Sequence, residues 1–306
     1  MIVKVLIGAI ELGLLFGIMA LGVYLTFRIL DFPDLTVDGS ITLGAAVAAV
    51  LIGKGYSPWL GFIIAPLAGA LAGVVTGILH TRFEIAPLLA GILTMTGLYS
   101  VNLRIMGRAN LPLLGTATLA DSLIHLGVPP KYGWIVFGTI LAIIVVVILY
   151  WLFQTEIGIV LRAIGDNEIM IKSQGVDVDK MKIFGLALSN ALVALSGAAI
   201  AQLQGFADMG MGVGMIVSGL ASVIIGEMLI GTRTILRALF AVVCGSLAYR
   251  IIISLVLRMG LETTDLKLVT AVLVVAALTL PKFGFKKKND YMEIDSKDLE
   301  FTKTHC

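Results

Sequence analysis

Charge, histidine and cysteine are all scarce in this chain. Of 306 residues only 14% are charged, against roughly 25% in a soluble domain. So few charges cannot cover a globular surface, which excludes a water-soluble fold and makes lipid the solvent. The net formal charge of +2 is too small to attract nucleic acid. The two cysteines, Cys244 in an apolar run and Cys306 at the end, exclude a disulfide framework. The three histidines, His80, His125 and His305, lie far apart and offer no metal site. There is no G-x-x-x-x-G-K-[ST] phosphate loop and no H-E-x-x-H pair. No Ser/His/Asp set can be argued either. The sequence therefore nominates no catalytic residue, no metal ligand and no cofactor held by this chain.

What is present is apolar. Hydrophobic residues make up 58% of the chain and glycine contributes 34 positions, with a mean hydropathy of +1.03. Spans long enough to cross a bilayer are Val3–Phe27, Asp38–Gly53, Pro58–His80, Ala86–Arg104, Tyr132–Phe153, Lys182–Leu203, Val213–Ile230, Leu236–Arg258 and Asp265–Leu280. They are too long and too evenly apolar for barrel strands, so the expected fold is all-α, a polytopic bundle of about eight to ten crossings. The first span is too long for a signal-peptide core and Glu11 interrupts it, so it reads as a retained helix. Nine full crossings put the N-terminus outside; if the short Asp38–Gly53 segment is re-entrant, eight crossings put both ends inside. The loop Met106–Lys131, with Pro112, Pro129 and Pro130, is a second place where a half-helix can dip into the bilayer. Residues 1–285 form one membrane domain, and 286–306 form a tail expected to be disordered.

Lys and Arg set the orientation. The Lys282–Lys288 tail, the Thr232–Arg237 turn, the Thr81–Ile85 turn and the loop 154–181 all carry positive charge and agree with a cytoplasmic side. Within that loop, EIGIVLRAIGDNEIMIKSQGV is a polar island between apolar spans. Asp166 or Asn167 suits a helix cap, Glu168 the first turn, Lys172 the last, and Gly175 the left-handed residue beyond. Those features predict a short helix over Asn167–Gln174 that presents Ile169, Met170 and Ile171, with Gly158 and Gly165 breaking the chain before it.

Charges inside spans usually face protein. Glu227 is expected to pair with Arg233, and Arg250 with Asp265 or Glu262. FPDLTVDGS, with Asp31, Asp34 and Asp38, reads as a break between helices or as an aqueous loop, with Asp38 and Ser40 suited to cap the next helix. Glu11 is the one acid deep in a clean span. Gly69, Gly73 and Gly77 form a small-residue packing stripe.

The island resembles the cytoplasmic loop of inner-membrane permeases of ATP-binding cassette importers, in the group that handles branched-chain amino acids, ribose and nucleosides. Gly158, Arg162, Ala163, Asn167 and Gly175-Val176 match that loop, and Met170 stands where the family commonly has Ala. LTVDGSITLGAAVAA and SGLASVIIGEMLIGTRTILRALFAVVCGSLAYRIII match two further segments, and the wording is closest to a branch linked to aromatic or hydrophobic amino acids. The resemblance implies a permease of the bacterial cytoplasmic membrane, paired with a second copy. It implies a cytoplasmic ATPase dimer that binds ATP and Mg²⁺, and an extracytoplasmic binding protein or lipoprotein. The ATPase-docking residues implied are Gly158, Arg162, Ala163, Asn167, Glu168, Ile169, Met170 and Gly175. The polar span residues Ser40, Thr42, Thr94, Thr96, Asn190 and Ser196 are the candidate translocation path. The competing reading is an ATPase-independent secondary transporter or channel.

Overall fold

Gly69, Gly73 and Gly77 lie along one face of α3 (Pro58–Thr81), pressed against the backbone of α9 (Val178–Gln204). A methyl group at Gly77 would stand 2.9 Å from the Ile183 Cα, and one at Gly73 would run into the Leu186 carbonyl. In lipid no hydrophobic force drives helices together, so this close dispersion contact is what joins them. Among the described residues the α3–α9 pair is the most extensive helix contact.

The computed structural model describes residues 2–113, 115–124, 129, 132–258, 268–272, 275 and 279. Helix α1 (Ile2–Tyr24) runs into a π-helical turn, Leu25–Ile29, and α2 (Thr36–Gly53) then turns back. After α3 come α4 (Pro87–Met106), β1 (Asn110–Pro112), α5 (Leu119–Ile124) and α6 (Gly133–Gln154). The loop helices α7 (Glu156–Asp166) and α8 (Glu168–Ser173) precede α9, which is followed by β2 (Phe206–Asp208), α10 (Met215–Ile230) and α11 (Ile235–Arg258). Among the described residues seven helices are long and apolar enough to cross a membrane, and α10 is a shorter apolar helix. The fold is thus an all-α polytopic bundle, apart from the antiparallel β1–β2 pair.

The helices alternate in direction between two ends. Ile29 lies at the α7–α8 end, where Gly165 packs on its carbonyl, whereas Gly13 of α1 packs on Leu247 toward the far end of α11. From there α2 climbs to Gly53, and α3 returns to His80, which lies beside Lys182 near the start of α9. The short α2 is therefore not a hairpin that enters and leaves one face; it carries the chain from one end to the other, buried against α9, α3 and α4. In the segment 106–131 the described residues form β1 and the six-residue α5. Leu119 at the start of α5 donates its N–H to Gln202 Oε1 at 3.1 Å. The last expected span, Asp265–Leu280, is described only at 268–272, 275 and 279, and His125, Cys306 and the 286–306 tail lie outside the described residues.

Several expected partners differ. Glu227 pairs with Arg28, at 3.1 Å, instead of Arg233, because the π-helical turn brings the end of α1 against the end of α10. Arg250 has its guanidinium 3.5 Å from the centre of the Phe16 ring; Glu262 and Asp265 lie outside the described residues. Asp34 is no aqueous residue: it is fully buried, accepting from Thr36 N at 2.9 Å and Asn190 Nδ2 at 2.7 Å. With Asp34 and Asp38 inside the bundle, Glu11 is not the one deep acid.

Candidate functional site

The polar island forms two helices, not one. Asn167 accepts the Met170 N–H at 2.9 Å and starts α8, Gln174 closes it on the Ile171 and Lys172 carbonyls, and Gly175 follows at φ +82°. These are the expected cap, C-terminus and left-handed residue. Gly158 and Gly165, however, do not break the chain. Both lie inside α7, a helix N-capped by Thr155, where they allow close approach to Leu152–Phe153 and to the Ile29 carbonyl.

The loop is held from three sides. Arg162 Nη2 donates to the Phe153 carbonyl at 3.1 Å, tying α7 to the last turn of α6. Lys182 of α9 pairs with Glu168 at 2.7 Å, fixing the first turn of α8. Ile164, Ile171 and Val178 form a small buried cluster, with Ala163 packed against it. Asp177 caps α9 through Lys180 N, and its hydrogen bonds with Lys180 hold its carboxyl below the usual carboxylate range. With Ile171 turned inward, α8 presents Ile169, 83% exposed, and Met170, 50% exposed. A short helix anchored this firmly is a rigid apolar knob.

A second feature lies among α2, α4 and the turn 209–213. A cavity of about 410 Å³ is lined by Asp38, Gly39, Thr42, Met95, Thr96, Tyr99, Asn102, Met209 and Val213. Asp38 does not cap its own helix. Its carboxylate reaches across to α10, accepting from Gly214 N and Ile216 N, each at 2.8 Å. The α2 start is served instead by Asp34, through Thr36 N. Asn102 donates Nδ2 to the Gly39 carbonyl at 3.1 Å, and its buried Oδ1 has no partner among the described residues.

Of the polar span residues singled out by sequence, Thr42 and Thr96 line this cavity. The other four turn into the bundle. Ser40 donates to Asn190 Oδ1 at 2.6 Å, Ser196 to the Leu15 carbonyl at 2.7 Å, and Thr94 to the Ala90 carbonyl at 3.0 Å.

The profile of the branched-chain amino acid transport system permease component matches residues 5–278. The chain belongs to that permease family. It is 43% identical over 283 residues to the "Tyrosine transport system permease protein" of Clostridioides difficile, covering 92% of this permease and 93% of that protein. It is 27% identical to a probable branched-chain amino acid transport permease of Methanocaldococcus jannaschii, over 65% of this chain and 66% of that one. Among solved structures, PsaBC from Streptococcus pneumoniae in complex with Fab aligns over 90% of both chains with a TM-score of 0.51 and 17% identity, a likeness of fold. This chain is accordingly a multi-pass membrane permease subunit of the ATP-binding cassette transport class.

Sequence reasoning passed over most of the permease's cavity wall. Asn102 and Tyr99 were polar residues within a recognised span and were available as signals. Met209 and Val213 were not, being apolar residues whose place beside α2 is set by Asp38, distant in sequence.

Proposed function

We propose that the permease forms the membrane path of an ATP-driven importer for an amino acid with a hydrophobic or aromatic side chain. The observation that carries this is α8: a capped, three-point-anchored helix exposing Ile169 and Met170 at one end of a bundle whose sequence has no phosphate-binding loop. Such a knob suits insertion into a groove on an ATPase subunit, which would hold the ATP and Mg²⁺. Arg162 and the Lys182–Glu168 pair would pass its displacement to α6 and α9. A binding protein would deliver solute at the β1–β2 end. The similarity to a protein named as a tyrosine permease supports an aromatic amino acid as the solute.

The basic loops support an α7–α8 end that faces the cytoplasm at a bacterial inner membrane. With α1 starting at the opposite end, a count of nine crossings would put the N-terminus outside and the C-terminus inside. One bundle gives a single wall of a path, so a second copy would supply the other, with loop 154–181 as the coupling segment of a domain spanning 1–285. Thr42 and Thr96 are the expected path residues on the cavity; Ser40, Thr94, Asn190 and Ser196 would shape it from behind.

A secondary transporter is the competing reading, and the buried Asp34 is the observation that favours it. Both Asp34 oxygens are already engaged by Thr36 and Asn190, however, which suits a structural role. The test is uptake of labelled L-tyrosine into proteoliposomes containing the permease, its cognate ATPase and its binding protein. Uptake that requires ATP supports the importer. Uptake that follows an ion gradient without the ATPase contradicts it.

A further inference from the structure

Asp38 is a carboxylate in the wall of a membrane-embedded cavity, and among the described residues no Lys or Arg pairs with it. Ionisable groups in such positions are costly and usually serve a solute or a partner. The backbone N–H groups of Gly214, Met215 and Ile216 all face it, and because a carboxylate offers about four acceptor positions one is left for a further donor. Two hydroxyl side chains share the wall, those of Thr42 and Thr96. Asn102, 1% exposed, sits in the same wall with an acceptor oxygen that has no partner. Because the Gly39 carbonyl only accepts, the amide must turn Nδ2 toward it, which leaves Oδ1 as the unmet acceptor.

The demand of this wall is therefore for a hydrogen-bond donor that carries positive charge. The rest of the lining is apolar or aromatic: Met95, Met209, Val213 and the Tyr99 ring. A bare metal ion would leave that surface unused, whereas an ammonium on an apolar body would use both parts. A volume of about 410 Å³ lies within the usual range of small-molecule sites, roughly 300–1,000 Å³. Thr96 and Tyr99 are on the exposed face of α4, so the cavity opens to the outside of the bundle there.

We propose that this cavity is a binding subsite for the protonated amino group of the transported solute, with Asp38 as its anion and Asn102 Oδ1 as a second acceptor after a small swing of the amide. The proposal rests on the amino-acid import reading above and names the group that the path itself recognises.

The test uses the purified permease–ATPase complex without binding protein, its melting temperature followed with tyramine, with 4-ethylphenol, which lacks only the amine, and with sodium chloride at matched ionic strength. Tyramine is expected to raise the melting temperature; the other two are not. The tyramine shift is expected to be lost in Asp38→Asn, which keeps one acceptor for the α10 cap, and in Thr96→Lys, which puts a tethered ammonium into the cavity and leaves the cap untouched. If Asp38→Asn does not fold, Thr96→Lys decides. Equal shifts by tyramine and 4-ethylphenol, a shift by sodium alone, or a tyramine shift that survives in the folded variants would overturn the proposal. ATP dependence of uptake by the wild type is a separate readout, so failure of the importer reading is distinguishable from failure of this subsite.

Discussion

Asp38 Oδ1 accepts the Ile216 N–H at 2.8 Å, joining the first turn of α2 to the first turn of α10. The partner oxygen takes Gly214 N, and Met215 N also faces the carboxylate, so one side chain serves the backbone donors of the α10 start that lipid cannot satisfy. Removing it in Asp38→Ala should cost about 1–3 kcal/mol. The expected result is a lower melting temperature in detergent, with a smaller loss in Asp38→Asn. An unchanged value for Asp38→Ala would show that α10 does not depend on this cap.

The α3–α9 seam predicts a sharp contrast between glycines. Gly73→Val would drive a branched side chain into the Leu186 carbonyl, whereas a Cβ at Gly53 meets nothing within 4 Å. Overpacking of this kind costs roughly 1–3 kcal/mol or more. Gly73→Val should therefore lose its monodisperse peak in size-exclusion chromatography, and Gly53→Ala should keep it. Equal behaviour of the two would contradict the seam.

Arg162 predicts a local effect. Its Nη2 bond to the Phe153 carbonyl is what ties α7 to the end of α6. In Arg162→Ala, amide hydrogen exchange should rise across 156–174 while α3 and α9 stay protected. Unchanged exchange in that segment would remove Arg162 from the anchoring role.

The Lys182–Glu168 pair is closer, at 2.7 Å, but Glu168 is half-exposed and solvent screens it. A double-mutant cycle with Lys182→Met and Glu168→Gln should return a coupling of about 0.2–1 kcal/mol. A value near zero would leave Asn167 and the Ile164–Ile171–Val178 cluster as the anchors of α8.

What could be read from sequence was local. Asn167, Glu168 and Gly175 are a cap, a first-turn acid and a left-handed stop within nine positions, and α8 follows from them directly. The glycine stripe of α3 was legible for the same reason, its spacing lying within one helix. α7 was misread because Gly158 and Gly165 act through close contact with Leu152–Phe153 and Ile29, and sequence shows glycine without showing its neighbour. The same holds for Asp38, whose partner lies on α10, and for Arg28, whose pairing with Glu227 needs a π-helical turn that no composition announces. Side chains that connect distant helices shape the cavity, and no spacing rule reveals such pairs.

The central claim is that α8 is the surface on which an ATPase subunit docks. The most direct measurement is retention of the cognate ATPase on affinity-immobilised permease, comparing wild type with Ile169→Asp. Ile169 is 83% exposed, so the substitution should leave the bundle monodisperse. Loss of most of the bound ATPase in Ile169→Asp is the predicted result; retention equal to wild type in a monodisperse variant would contradict the account.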